Sequence, residues 1–163
     1  MLLGWKDLWE DNVFPWHKED VHPKLMQNLD ILVQTAGKSD PKNCKFFVPL
    51  CGKSIDMIFL HNKGFHVIGC EAVEKAVVDF FNENSIEYDK KEISDEISVF
   101  DAKTMNIKIV CGDYFKLTPD IVGGKMDCIF DRGSLVAIDK EQRTEYELQG
   151  VLLQTAIFRR SKK

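Results

Sequence analysis

Apolar residues fall in two rhythms along this chain. Short β-rich runs occur around Cys44 to Leu50, His66 to Cys70, Ile97 to Phe100, Ile107 to Cys111 and Met126 to Phe130, and each has the length of a buried strand. Between them, apolar residues recur three and four apart. Leu25, Met26, Leu29, Leu32 and Val33 mark one helix, opened by His22-Pro23 and closed by Gly37. Ile55, Ile58 and Phe59 mark a second, with Ser54 as N-cap and Gly64 as its end. Val73, Ala76, Val77, Phe80 and Phe81 mark a third, and Leu148, Val151 and Leu152 a last one, weakened by Gly150 and opened by a capping box over Asp139 to Gln142. The polar stretch from Ile86 to Asp95 reads as a solvated loop or a short edge strand, and the runs on either side of Asp101 to Asn106 as an antiparallel pair. Strand, helix, strand in this order gives right-handed crossovers and a parallel sheet with helices on both faces. The expected fold class is therefore α/β.

In such a sheet, ligands bind at the C-terminal ends of the strands. The first strand there runs into Pro49-Leu50-Cys51-Gly52-Lys53-Ser54, a tight loop before a helix N-terminus. The second ends in Glu71, about 20 positions beyond the glycine, where a carboxylate suits the two hydroxyls of a ribose. A nucleoside-containing cofactor is the first expectation. Asp113 and Tyr114 follow another strand, placed either to meet and stack on a base or to form an ordinary turn with a core aromatic. Arg132 stands at the same edge, either to reach a second ligand or to pair with Asp131 or another acid. All three tryptophans lie between Trp5 and Trp16. Trp5 and Trp9, four apart, share a helical face, and the segment is either a lid packed on the core or a set of π-faces over a ligand pocket.

Charge and cysteines narrow the classes. A net charge of −4 and a pI near 5.6 disfavour nucleic acid as partner, and the basic cluster Arg159, Arg160, Lys162 and Lys163 reads as a solvated tail. No apolar run has the length of a membrane span, and the first residues lack the pattern of a secretory signal, so the expected location is the cytosol. Five cysteines without two-residue spacing indicate neither a disulfide framework nor a metal site. Cys51 lies in the loop, but no paired histidine supports a nucleophile there.

Five ordered blocks together resemble the thiopurine S-methyltransferase family. They are Trp5-x3-Trp9 with Trp16-His17, Val48-Pro49-Leu50-Cys51-Gly52-Lys53-Ser54-Ile55-Asp56-Met57, Gly69-Cys70-Glu71, Gly112-Asp113-Tyr114-Phe115, and Asp131-Arg132-Gly133-Ser134-Leu135-Val136-Ala137-Ile138. The resemblance implies a Rossmann-like S-adenosylmethionine-dependent methyltransferase fold and transfer of a methyl group to an aromatic or heterocyclic thiol by direct displacement. It implies that Trp5, Trp9 and Trp16 fold over S-adenosylmethionine, that Leu50 and Gly52 belong to its loop, that Glu71 holds the ribose, and that Asp113 and Tyr114 contact the adenine. Arg132 would sit where cofactor and acceptor pockets meet and orient the thiol. The implied organisation is one domain over 1–163, with a lid over about 1–22, a cofactor-binding core over about 23–153 and a divergent tail over 154–163.

The family continues past the last helix into further strands and a loop carrying a second substrate-side arginine, whereas this chain ends at Lys163. The expected sheet is therefore incomplete, with Met126 to Phe130 as an edge showing apolar faces. The family is expected to be monomeric, and the chain alone to aggregate or self-associate. Two other readings stand beside the methyltransferase: a non-catalytic cofactor-binding fragment, and a nicotinamide-dependent oxidoreductase. The loop lacks the glycine spacing that the oxidoreductase reading needs for close approach of a pyrophosphate.

Overall fold

The computed structural model describes residues 2–154. In chain order the elements are α1 (Leu2–Glu10), α2 (Pro23–Thr35), β1 (Lys45–Val48), α3 (Ile55–Asn62), β2 (His66–Glu71), α4 (Glu74–Glu83), β3 (Tyr88–Ser94), β4 (Ile97–Ala102), β5 (Ile107–Cys111), α5 (Pro119–Val122), β6 (Cys128–Ile129), α6 (Ser134–Ala137) and α7 (Arg143–Leu153). They build one sheet of order β3-β4-β5-β2-β1-β6. β5, β2, β1 and β6 run parallel, while β3 and β4 form an antiparallel extension beside β5. From β1 the chain moves first to one side, through β2 and β5, and later returns to the other side with β6. That reversal at β1 opens a crevice at the C-terminal ends of the strands.

Strand alternation divides the core into two layers. Phe46, Val67, Ile109 and Cys128 face one cluster, with Leu25 and Leu29 of α2, Met57 and Leu60 of α3, and Val77, Phe80 and Phe81 of α4. Their neighbours Phe47, Ile68 and Val110 face the other, with Val122 of α5 and Tyr146 and Leu153 of α7. Both faces of the parallel strands are thus covered, which is why those strands read as continuous apolar runs.

The local signals for α2 and α3 act as their chemistry suggests. His22 Nδ1 accepts from the Lys24 amide at 3.1 Å ahead of Pro23, and Ser54 Oγ accepts from the Asp56 amide at 3.2 Å. Gly64, at φ +93°, carries the chain out of α3. Other expectations are corrected. The polar run is the full-length edge strand β3, paired from Tyr88↔Ala102 to Ser94↔Ile97 and exposed along its side chains. No capping box forms: the Asp139 side chain makes no cap bond, and a 3-10 turn over Lys140–Gln142 leads into α7. β6 lies at the sheet edge as expected, but its apolar faces are not bare. Met126 and Cys128 are buried, and Met126 forms an isolated parallel bridge to Gln154. The basic cluster Arg159 to Lys163 lies outside the described residues, as does all of the expected tail beyond Gln154. No helix among the described residues is long and apolar enough to cross a membrane.

Candidate functional site

The crevice holds a cavity of about 590 Å³, within the size range of small-molecule sites, roughly 300–1,000 Å³. Every residue singled out from the sequence, Trp5, Trp9, Trp16, Leu50, Gly52, Glu71, Asp113, Tyr114 and Arg132, lies on its wall. They come from the lid, from the loop after β1, from the end of β2, from the turn after β5 and from the loop after β6.

At the end of β2, Glu71 is 7% exposed, and its two oxygens point in different directions. Oε2 accepts from the Gly52 amide at 2.9 Å, and Oε1 from the Val73 amide at 3.0 Å. These bonds fix the carboxylate rigidly between the loop and the start of α4, yet each oxygen retains a lone pair for another donor. Burial raises the Glu71 carboxyl above its ordinary value, against the lowering effect of the Val73 and Gly52 amides.

The loop after β1 is held by its own backbone. The Cys51 amide donates to Cys70 O at 2.8 Å and the Ser54 amide to Cys51 O at 3.1 Å, so with Gly52 on Glu71 the amides at 51, 52 and 54 are all engaged. At these positions a tight loop before a helix N-terminus therefore offers a ligand no free amide. Two residues of the turn carry positive φ, Leu50 at +45° and Gly52 at +50°. Glycine is needed at 52 for a second reason: a Cβ there would stand 3.2 Å from the ring of Trp9. Gly69 is equally constrained, since a Cβ would fall 2.7 Å from Cys51 Sγ. Burial, with the Glu71 charge beside it, pushes the Cys51 thiol well up, so it is no thiolate nucleophile.

The tryptophans divide between the two readings of the lid. Trp9 is 3% exposed, stacked on Phe14 at 4.9 Å and packed with Val73 and Ala76. Trp5, half-buried, and Trp16, exposed, meet edge to face at 4.8 Å and line the cavity. Lys53 secures the same segment, its ammonium 4.3 Å from the Phe14 ring centroid and 2.6 Å from Glu83. Burial and the nearby Lys53 charge lower the pKa of His17, also on the cavity wall.

Across the cavity, Asp113 accepts from the Phe115 amide at 3.0 Å, which shapes the turn and leaves its second oxygen without a partner among the described residues. Of the two readings of Tyr114, its packing matches the core aromatic. Its ring is 3% exposed, stacked on Tyr146 at 4.6 Å and on Phe47 at 6.3 Å, and its hydroxyl donates to Tyr146 O at 3.1 Å. It is a core aromatic at the cavity floor, with both ring faces packed against protein rings.

Arg132 does not pair with Asp131. Asp131 instead accepts from the Ser134 amide at 2.7 Å and the Tyr146 hydroxyl at 3.0 Å, and Ser134 Oγ donates to Pro49 O at 2.8 Å, tying the loop after β6 to the loop after β1. The partner of Arg132 is Asp56, at 2.7 Å. Sequence reasoning missed both Asp56 and Ser134. Asp56 reads locally as a solvated acid in the first turn of a helix, and only its burial and its long-range partners distinguish it.

A family model described as thiopurine S-methyltransferase matches residues 2–156. A thiopurine S-methyltransferase from Gluconobacter oxydans is 37% identical over 142 residues, and one from Legionella pneumophila (strain Corby) is 34% identical over 142 residues; each match covers 87% of this chain and 60% of the relative. The chain thus spans about 60% of the length of these curated relatives. Among solved structures, the DhpI-SAM-HEP complex matches with a TM-score of 0.55 at 11% identity, over 95% of this chain and 59% of that one. A TehB-like SAM-dependent methyltransferase from Corynebacterium glutamicum matches with a TM-score of 0.51 at 14% identity, over 83% and 70%. At these identities the likeness is one of fold, the Rossmann-like α/β sheet of the SAM-dependent methyltransferases.

Proposed function

Because the chain belongs to the thiopurine S-methyltransferase family, we propose that its cavity binds S-adenosylmethionine and that the protein directs the methyl group to the sulfur of an aromatic or heterocyclic thiol. Glu71 carries this reading. A buried carboxylate held by amides on both oxygens, each with a lone pair left over, matches the two neighbouring hydroxyls of a ribose. The rest of the wall suits the same ligand. Trp5 and Trp16 offer aromatic surface to a flat base or a cationic sulfur, Trp9 backs them over Gly52, Leu50 supplies an apolar contact, and the second oxygen of Asp113 suits an exocyclic amine. Tyr114 supports Asp113 from below.

When bound, this cofactor supplies a methyl carbon activated by a positive sulfur. The chain's own residues position and enclose. The lid excludes water, the loop after β1 and Glu71 fix one end of the ligand, and Arg132 faces the place where a thiolate would lie. An acceptor already partly ionised near neutral pH needs little proton transfer, so alignment is the main contribution the protein makes. A nicotinamide cofactor fits less well, because the amides at 51, 52 and 54 that would receive a pyrophosphate are engaged within the protein. The free, buried state of all five cysteines suits a reducing compartment, the cytosol.

A second reading, a cofactor-binding fragment without turnover, is favoured by one observation, the 60% share of the relatives' length. Transfer of a radiolabelled methyl group to an aromatic thiol separates the two: labelled thioether supports the enzyme, while tight cofactor binding without label leaves the fragment.

A further inference from the structure

Asp56 has entered so far only as the partner of Arg132. It stands in the first turn of α3, but it does not cap that helix, because Ser54 Oγ already receives the Asp56 amide. Its side chain is fully buried, and such a carboxylate is tolerable only when its oxygens are engaged. Oδ1 accepts from the His22 amide at 2.7 Å, and Oδ2 from Arg132 Nη1 at 2.7 Å and from the Ser54 hydroxyl at 3.0 Å. Arg132 Nη1 also donates to Asp20 O at 3.1 Å. One carboxylate therefore joins the loop before α3, the loop after β6 and the turn over 20–22 through which the lid runs into α2.

The arginine it holds is 25% exposed and lies on the cavity wall. Among the described residues the hydrogen bonds of Arg132 all leave from Nη1, to Asp56 and Asp20, and its other guanidinium nitrogens keep their donors for a ligand. A guanidinium fixed by one edge loses less freedom when its other donors meet an anion.

We propose that Asp56 is the positioning residue of this site, fixing Arg132 against the acceptor end of the cavity and clamping the base of the tryptophan lid through the same buried ion pair. The lid part rests on the contacts alone; the acceptor part rests on the proposed function of Arg132.

The test uses Asp56→Asn, Arg132→Gln and the double variant. All three tryptophans lie between Trp5 and Trp16, so tryptophan fluorescence, excited at a wavelength that tyrosine does not absorb, reports the lid alone. Asp56→Asn and Arg132→Gln should each raise acrylamide quenching of the lid, and the double variant should add nothing further. Thiophenol binding, measured calorimetrically with the demethylated cofactor present at saturation, should weaken by about tenfold in each single variant and no more in the double. Asp56→Glu should recover part of the loss. Additive losses in the double variant, or quenching and thiol binding unchanged in Asp56→Asn, overturn the proposal. Thiol binding absent from the wild type would remove the proposed function and the acceptor part with it, and the quenching cycle would then decide the clamp. Should Asp56→Asn not fold, Arg132→Gln, which leaves the carboxylate in place, carries the quenching test by itself: unchanged quenching overturns the clamp.

Discussion

Burial raises the Glu71 carboxyl, and on its proposed role at the ribose this should give folding and ligand binding opposite pH dependences. A carboxyl whose pKa is higher folded than unfolded contributes stability that is fully present below its unfolded value and is lost as pH rises through the folded one. Ribose binding needs the ionised form, so it should fail in the opposite direction, weakening as pH falls through the raised value. Cofactor titrations across this range should show an inflection above that of a free glutamate, and Glu71→Gln should remove it. At Gly69 the prediction is steric. A Cβ 2.7 Å from Cys51 Sγ must displace the loop after β1, so Gly69→Ala should lower both stability, by about 1–3 kcal/mol in denaturant titration, and cofactor affinity. The place of Glu71 beside the loop after β1 was legible in the sequence because it depends on a spacing from Gly52. Tyr114 was legible only as a choice, which the rings of Phe47 and Tyr146 decide from elements far along the chain.

At the scale of elements, α7 carries a glycine that its packing does not require. A Cβ at Gly150 would sit 3.5 Å from Tyr114 Oη and 3.8 Å from Ile129 Cδ1, both ordinary contact distances. Gly150→Ala should therefore stabilise the protein by about 0.5–1 kcal/mol and raise the melting temperature by about 1–4 °C in calorimetry. A fall would mean that α7 sits closer to the turn after β5 than these contacts show. The helices with caps written in their own residues, α2 and α3, were readable in advance, as were the strands buried on both faces. β3 was not settled, because an edge strand with solvated side chains has the composition of a loop, and only pairing with β4 separates them. The failed capping box has a similar cause: the residues are of the right kind, but the chain makes a 3-10 turn there and the Asp139 side chain caps nothing.

At the scale of the whole molecule, the two edges of the sheet are treated differently. β3 presents Lys90, Lys91 and Glu92, charges that discourage pairing with another chain. β6 is a two-residue strand beside α7, and there Leu148 (64% exposed), Val151 and Leu152 lie open. Exposed apolar surface of this kind favours association. Sedimentation velocity should show concentration-dependent self-association that Leu148→Glu reduces, and a concentration-independent monomer would count against it. The parallel sheet with helices on both faces followed from the alternation of strand and helix. The joining of three distant segments at Asp56 did not, since burial of a charge is a property of the finished fold.

Calorimetric titration of S-adenosylmethionine into the wild-type chain and into Glu71→Gln, with NADH as comparison, tests the central claim most directly. The expected result is saturable one-to-one binding, weakened by about tenfold or more in the variant, with no heat of binding from NADH. Absence of S-adenosylmethionine binding, equal affinity in the variant, or a preference for NADH would contradict it.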